Sequence, residues 1–308
     1  MKIILVAPRS ITRHQYQEEP YRFDYAFWNF YIPLMSLGHD ITFFDTAQHG
    51  DEQLRTLIEN KKPDLLFCIT TGDQNYCPQE PWETISQETT SGRTKTFNWF
   101  CDDSWRYDSF SSEACHHFNV CSTPETKFVE RYKKDNYNNI LAATWHANSD
   151  LYSVVNVRKT QPITFVGALH GTRQIFMNTL NSCGIQVNHP RGASFEDLVW
   201  EYSRSQMGIN FSKNSVNSET QMKARIFEIP AARTMLITEY HDEIEHCFKI
   251  DKEIITFETE TELVEKLNFL LKNPAVVNKI ALNGYKRFRA EHDSKIRLSK
   301  LLEQINKI

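Results

Sequence analysis

The stretch KARIFEIPAARTMLITE, residues 223–239, joins a charged segment to an apolar one. It places two cations one residue apart, Lys223 and Arg225, ahead of a carboxylate, Glu228, on an apolar background. A short break and a strand-like run follow, so the stretch is interpreted as a helix leading into a strand. Charges this close to an apolar segment either solvate a helix or hold an anionic ligand, and the rest of the chain decides between the two.

The composition is that of a globular protein. Of the 308 residues, 40% are hydrophobic and 24% charged, and this length predicts two domains. The net charge of −4 argues against broad nucleic-acid binding but permits a local basic pocket. The seven cysteines are scattered without a CxxC pair, which is typical of a reducing, cytoplasmic compartment. The apolar run at residues 2–7 is too short for a signal peptide, and no run is long enough to span a bilayer.

Short apolar segments alternate with helical patterns along the chain. The alternation predicts an α/β protein with parallel, doubly wound sheets. The pattern restarts after a polar, irregular stretch near residues 148–160, so we expect two Rossmann-like domains facing a cleft, divided as 1–150 and 151–290. Strands are predicted at residues 2–7, 41–44, 63–69, 96–100, 118–122 and 140–143, and then at 163–167, 184–187, 207–211 and 253–257.

The basic residues around the opening stretch form the first candidate site. Lys213 lies in the polar loop that precedes Lys223 and Arg225. We expect this segment to begin near a helix N-terminus, whose unpaired N–H groups and positive dipole end favour anions. Lys213, Lys223 and Arg225 therefore predict a metal-free diphosphate site, with Glu228 placed to accept hydrogen bonds from ribose hydroxyls. The alternative is a surface ion pair between Arg225 and Glu228.

The second candidate is the loop from Gly167 to Arg173. A predicted strand ends at Gly167, a tight loop passes Gly171, and Arg173 opens a helix. Small residues let the backbone approach a ligand closely, and ligands bind at the carboxyl ends of parallel strands. The alternative is an ordinary strand-to-helix turn.

Two carboxylates, Asp102 and Asp103, follow the predicted strand at residues 96–100. At a strand end they act as a base or orient an acceptor hydroxyl, or they cap the next helix. A metal pair lacks a third ligand, and the Cys and His residues of 115–121 do not match a common zinc spacing. His146 and His170 are weaker candidates, because a lone histidine is more often structural.

Several of these segments resemble the CgeB-like (spore-maturation type) glycosyltransferases, which are GT-B enzymes similar to family-4 glycosyltransferases. The resemblance runs from about residue 96 to 272. The similar segments are Trp99–Arg106, Phe165–Gly167, Gly171–Arg173, Lys223–Glu228, Leu236–Glu239, Phe248, Glu262–Lys266 and Leu270–Leu271.

The resemblance implies a GT-B fold in which residues 1–150 hold the acceptor and residues 151–290 hold the nucleotide-sugar donor. It also implies that a C-terminal helix, 291–308, returns to the first domain. Glu228 matches the second Glu of the family's Glu-x7-Glu motif, which holds the donor ribose, and Lys223 and Arg225 match its basic residues near the diphosphate. The first motif position is Thr220, and Ala231-Ala232-Arg233 replaces the usual glycine turn, so that Arg233 either reaches the phosphates or blocks the pocket.

The leading hypothesis is a metal-independent, cofactor-free glycosyltransferase (hexosyl or related transfer). It moves a sugar from a nucleoside diphosphate sugar to an acceptor hydroxyl of unknown identity. One alternative is a GT-B-like sugar-nucleotide epimerase. The other is a non-catalytic nucleotide- or sugar-binding module, which the missing glycine and missing first Glu favour.

Overall fold

The computed structural model describes residues 1–11, 21–22, 25–72, 79–153, 157–190 and 194–308. Contacts within the chain divide it into two compact units. The first unit is Met1–Thr144 together with Arg297–Ile308, and the second is Trp145–Ile296. The irregular stretch expected near 148–160 includes residues 154–156, which lie outside the described residues.

The first unit is built on a six-stranded parallel sheet. Its founding strand, IILVA at Ile3–Ala7, is buried throughout, as expected for a parallel strand covered on both faces. The sheet order is β4-β1-β5-β6-β7-β8, and a short antiparallel pair, β2 and β3, lies outside it. The strands are β1 Lys2–Ala7, β2 Ser10–Ile11, β3 Tyr21–Arg22, β4 Asp40–Asp45, β5 Leu65–Cys68, β6 Lys95–Trp99, β7 Val120–Thr123 and β8 Ile140–Ala142.

Helices connect these strands, as parallel pairing requires. Two of them extend into π-helical turns, at Phe27–Tyr31 ahead of α1 and at Tyr107–Ser111 after α4, and a 3₁₀ turn at Cys115–His117 follows α5. The helices of this unit are α1 Ile32–Ser36, α2 Asp51–Lys61, α3 Trp82–Ser91, α4 Asp103–Arg106, α5 Ser112–Ala114 and α6 Thr126–Lys134.

The second unit has a four-stranded parallel sheet in the order β12-β11-β10-β9. Beyond β9, Asn188 makes an isolated parallel bridge with Thr164. The chain therefore leaves β9 toward one side and returns to place β10 on the other, so the connections reverse direction between β9 and β10. The strands are β9 Gln161–Thr164, β10 Ser205–Asn210, β11 Met235–Glu239 and β12 Ile255–Phe257.

The helices of the second unit are mostly amphipathic, and their apolar faces supply a core with the strands. The stretch at residues 223–239 forms helix α10 and then β11, and the helix packs against this strand. The last helix starts in this unit, and its residues from Arg297 onward belong to the first. The helices are α7 Ser149–Ser153, α8 Thr172–Ser182, α9 Phe195–Ser203, α10 Arg225–Ala231, α11 Ile244–Cys247, α12 Glu260–Lys272, α13 Pro274–Glu291 and α14 Ser294–Ile305.

The predicted α/β fold with parallel sheets is confirmed, and one predicted strand is wrong. Residues 185–187 are not a strand, and only Asn188 pairs with β9. Ile185 is buried, Gln186 is exposed and Val187 is partly buried against the core, so the segment covers the sheet edge with two apolar side chains rather than extending the sheet.

Candidate functional site

A cavity of about 230 Å³ lies within the second unit, at the carboxyl ends of β9 and β10. This is the point where the strand connections reverse direction, and ligands of open α/β sheets bind at such points. Its lining comes from the residues just after β9, the end of β10, the first turn of α8 and the start of α10. The lining residues are Trp145, Phe165, Val166, Gly167, Arg173, Asn210, Phe211, Lys223, Ala224 and Arg225.

The charge of this lining has one sign. Arg173, Lys223 and Arg225 are cations, and no Asp or Glu is among the lining residues. Such a lining attracts an anionic ligand, because a bound anion offsets the repulsion between the neighbouring cations.

Arg173 is held by the backbone of the loops around the cavity. Its Nη1 donates to the Ala168 carbonyl at 3.1 Å, and its Nη2 lies 3.4 Å from the Lys213 carbonyl. Burial lowers the pKa of Arg173 to about 10; the Glu239 carboxylate opposes this shift and the Arg225 cation adds to it. Arg173 is thus a cation that has lost much of its hydration and faces a second cation, and a bound anion would relieve both effects.

Lys223 and Arg225 reach the cavity from the start of α10. The Nζ of Lys223 donates to the carbonyl oxygens of Phe211 at 2.9 Å and Lys213 at 2.7 Å. The Nε of Arg225 donates to the carbonyl of Val166 at 3.3 Å. Both cations are therefore anchored to the loops that follow β9 and β10.

Glu228 is bonded to Arg225 but is absent from the cavity lining. Its side chain is fully buried, and Oε2 accepts a hydrogen bond from Nη1 of Arg225, three residues earlier on α10. Burial lowers the pKa of Arg225, but the charge and hydrogen bond of Glu228 together with the nearby Tyr202 and Tyr152 hold that pKa above its usual value. The role of Glu228 as a ribose acceptor stays a prediction, and the contact that the structure shows for its carboxylate is the one to Arg225.

The remaining donor-site candidates divide between the cavity and its surroundings. Gly167 lines the cavity, and a Cβ there would meet the Phe165 ring at 3.0 Å. Gly171 precedes α8 with φ +57° and does not line the cavity. Lys213 does not line it either, because its Nζ pairs with the buried Glu239 carboxylate at 3.0 Å.

Arg233 neither lines the cavity nor blocks it. It takes φ +55°, the left-handed conformation that glycine would adopt at that turn. Its guanidinium lies over the ring of Tyr285, 4.7 Å from the centroid. The turn after α10 is therefore kept without a glycine, and the side chain is directed to α13.

The two aspartates of the first unit differ in burial. Asp102 is half-buried and precedes α4, whereas Asp103 is 1% exposed and accepts a hydrogen bond from the Tyr132 hydroxyl at 3.1 Å. Burial raises the pKa of Asp103 to about 6, against hydrogen bonds from the hydroxyls of Thr123, Ser111 and Tyr132. Asp103 is thus bonded inside the unit, which leaves Asp102 as the more accessible of the pair.

A third carboxylate of the first unit gave no signal in the sequence. Glu80 is buried after β5, and its oxygens accept hydrogen bonds from the backbone N–H of Thr71 at 2.6 Å and of Gly72 at 3.0 Å. Burial raises the pKa of Glu80 to about 7, against these hydrogen bonds and the charge of Arg106. No spacing or motif marks it, because its partners are backbone groups from a loop earlier in the chain.

The weaker candidates have structural contacts. The Nδ1 of His146 is 2.8 Å from the Ser294 hydroxyl, and both are buried. His170 lies 3.3 Å from Nη1 of Arg173, and burial followed by that cation's charge lowers the pKa of His170. Within the described residues, no group of three or more His, Cys, Asp or Glu side chains is arranged to hold a metal ion.

The architecture and the cavity define a class. The parallel sheets and their helices give the α/β fold of GT-B glycosyltransferase structures. Residues 151–303 match the family model described as "Glycosyl transferase-like". A comparison with curated proteins gave no match.

Solved structures share this fold over nearly the whole chain. One is HepE from Anabaena in complex with UDP (TM-score 0.63, 9% identity, 100% of both chains). Another is sucrose-phosphate synthase from Thermosynechococcus elongatus (TM-score 0.62, 10% identity, 100% of both chains). A third is a glycosyltransferase from Rickettsia africae (TM-score 0.61, 11% identity, 99% of this chain and 98% of that one).

Among the helices that the structure describes, none combines the length and the apolar character needed to cross a bilayer.

Proposed function

We propose that this protein is a metal-independent glycosyltransferase that moves a sugar from a nucleoside diphosphate sugar to an acceptor hydroxyl. The observation that carries the proposal is the cavity at the reversal point of the second sheet, lined by Arg173, Lys223 and Arg225 without an acidic side chain. Nucleoside diphosphates are the anionic ligands that such a position accepts in α/β sheets.

The three cations would also assist the reaction. When the bond between the sugar and the diphosphate breaks, negative charge grows on the departing diphosphate. Fixed cations in a partly dry cavity stabilise that charge more than water does, and they need no reorganisation. Arg225 and Arg173 carry planar guanidinium groups that match phosphate oxygens in pairs.

UDP is the first nucleotide to test. HepE was crystallised with UDP and with UDP-glucose, and the second unit here has the same fold. The proposal assigns donor binding to the second unit and acceptor binding to the first, in the manner of the CgeB-like enzymes that the sequence resembles. It also assigns the protein to the cytoplasm, since the cysteines of the described residues are free thiols.

On the acceptor side, the proposal keeps Asp102 as the group that orients or deprotonates the acceptor hydroxyl. Asp102 is half-buried at the carboxyl end of β6, where ligands of parallel sheets bind. Asp103, hydrogen-bonded inside the unit, would hold the local structure around it.

A binding module without catalysis is the second candidate, because Thr220 replaces the first motif Glu. Turnover separates the possibilities. Diphosphate release that requires an acceptor supports transfer, and release of an altered sugar without an acceptor supports an epimerase. Binding without turnover supports the module.

The experiment is thermal unfolding in the presence of UDP, GDP, ADP and CDP and their common sugars. A ligand at 100 times its Kd adds about 2.7 kcal/mol to the free energy of unfolding. We expect at least one nucleoside diphosphate to raise Tm, and Arg225→Ala to abolish the rise. Arg204→Ala is the matched control, because Arg204 lies in the same unit and pairs with Glu201 away from the cavity lining. No rise with any member of the panel would refute the proposal.

A further inference from the structure

Glu228 occupies an unusual place for a residue beside a nucleotide site. It is 0% exposed and lies in the part of α10 in which its neighbours Phe227, Ile229 and Pro230 are buried as well. A ribose hydroxyl has to come within about 3 Å of a carboxylate oxygen to donate to it. Since Glu228 is outside the cavity lining, a nucleotide in the cavity is not presented with that carboxylate.

The contacts of Glu228 point to Arg225. One carboxylate oxygen, Oε2, accepts from Nη1 of Arg225, and the other, Oε1, is buried without a hydrogen-bond partner in the described part of the chain. A buried carboxylate oxygen without a hydrogen-bond partner costs free energy. A carboxylate is kept in such a position when the bond that its other oxygen makes is needed at the site. The contact seen here is a charge-assisted bond to a guanidinium that reaches the cavity.

The guanidinium of Arg225 is fixed at separate points. Nε donates to the Val166 carbonyl at 3.3 Å, and Glu228 binds Nη1 from the protein interior. Val166 is held in turn by the buried Tyr202, whose hydroxyl accepts from the Val166 N–H at 3.3 Å. A guanidinium has five N–H donors, so these contacts fix its plane and leave donors for a ligand.

We propose that Glu228 is a positioning residue, which holds the Arg225 guanidinium toward the cavity and acts on the nucleotide only through it. This inference rests on the proposed function, because it takes the cavity ligand to be a nucleoside diphosphate. Under this inference Arg225 binds the diphosphate, and Glu228 does not contact the ribose. A planar guanidinium binds phosphate oxygens in pairs only when its plane is set beforehand.

The test compares ligands that carry the diphosphate and the ribose 2′- and 3′-hydroxyls together, or only one of the two. Affinities for UDP, 2′,3′-dideoxy-UDP and uridine are measured by calorimetry with wild-type protein and with Glu228→Gln. We expect Glu228→Gln to weaken UDP and dideoxy-UDP by the same factor, at least tenfold, and to leave uridine within twofold. A ribose contact predicts the opposite: the variant loses the difference between UDP and dideoxy-UDP and binds uridine more weakly.

A mutant cycle tests the route through Arg225. If Glu228 acts only through Arg225, the double variant Arg225→Ala/Glu228→Gln binds UDP as Arg225→Ala does, within twofold. A further loss of tenfold in the double variant overturns the inference. The double variant also protects the test against misfolding, because removing both members of a buried ion pair avoids the unpaired charge that the single change leaves.

The matched control is Glu201→Gln. Glu201 also pairs with an Arg three residues away in the second unit, at 2.8 Å, and it does not line the cavity. It should leave UDP affinity within twofold. An equal loss in Glu201→Gln and Glu228→Gln would show a general effect of lost ion pairs and overturn the inference. Wild-type protein that binds no nucleoside diphosphate of the thermal panel refutes the proposed function and this inference together, whereas binding with the ribose pattern refutes this inference alone.

Discussion

A guanidinium that is buried loses hydration and regains favourable interactions when an anion binds to it. Arg173 is in that condition: burial holds its pKa at about 10, and Arg225 is a second cation close enough to lower it further. In the free protein, backbone carbonyls that contact the guanidinium of Arg173 offset part of this loss of hydration. The lost hydration of Arg173 and its repulsion from Arg225 are the strongest physical reason to expect an anion in this cavity.

The buried carboxylate of Asp103 gives a prediction about pH. Its pKa is raised from 3.8 to about 6 by burial, so its contribution to stability is fully present below pH 3.8 and is lost as the pH rises through 6. Relative to Asp103→Asn, the wild-type protein should therefore become more stable by about 2 kcal/mol between pH 7 and pH 4. Urea unfolding of both proteins across this range measures the difference.

The comparison uses Asp108→Asn as its control, since Asp108 is an exposed neighbour on the same helical segment. The difference between wild-type protein and Asp108→Asn should change little over that range. A pH-independent difference between wild-type protein and Asp103→Asn would show that Asp103 is not the buried acid described here.

Sequence reasoning found the cations of the site but not the directions of all the side chains. Lys223 and Arg225 were predicted in one candidate site and Arg173 in a second, and the three line one cavity. Lys213 was grouped with them by proximity in sequence, yet it pairs with Glu239 at the end of β11. Spacing along a loop does not tell which way a side chain points when its partner comes from a distant strand.

At the scale of elements, the position of α10 depends on a small residue beneath it. Gly208 lies in β10 under α10, and a Cβ there would be 2.8 Å from Cγ2 of Ile229. Gly208→Ala should push α10 outward, cost about 1 to 3 kcal/mol of stability, and weaken UDP binding because α10 carries Arg225. Chemical unfolding and calorimetry measure the two effects.

Gly284→Ala is the control that separates a general loss of stability from a displacement of α10. A Cβ at Gly284, in α13, would lie 2.4 Å from the Glu253 carbonyl oxygen, so this change also destabilises the second unit. It should leave UDP affinity unchanged, because neither residue lines the cavity. If both variants lose affinity equally, general destabilisation rather than the position of α10 is the cause.

The elements that the sequence predicted well are those with a strong apolar period. Runs such as IILVA in β1 are buried in the core of a parallel sheet and have no other stable place. The helix expected after Asp102 and Asp103 could not be given bounds from the sequence, because the turns across residues 103–117 are short and mix α, π and 3₁₀ geometry, so no single period marks them. The strand predicted at 184–187 failed because apolar residues beside a sheet edge also pack without pairing.

For the whole molecule, the α/β fold follows from alternation of strands and helices, and the site follows from the fold. The order of strands in the second unit is set by where the chain goes after β9, a feature that only the paired structure reveals. That order places the reversal point beside the cations. A chain with a net charge of −4 thus concentrates positive charge where a parallel sheet receives its ligand.

The most direct test of this account is a crystal structure of the protein grown with UDP at saturating concentration. We expect the diphosphate in the cavity after β9 and β10, with its oxygens within hydrogen-bond distance of Arg225 and of Arg173 or Lys223, and Glu228 still bonded to Arg225. A nucleotide bound elsewhere on the chain, or an empty cavity at saturating UDP, would contradict it.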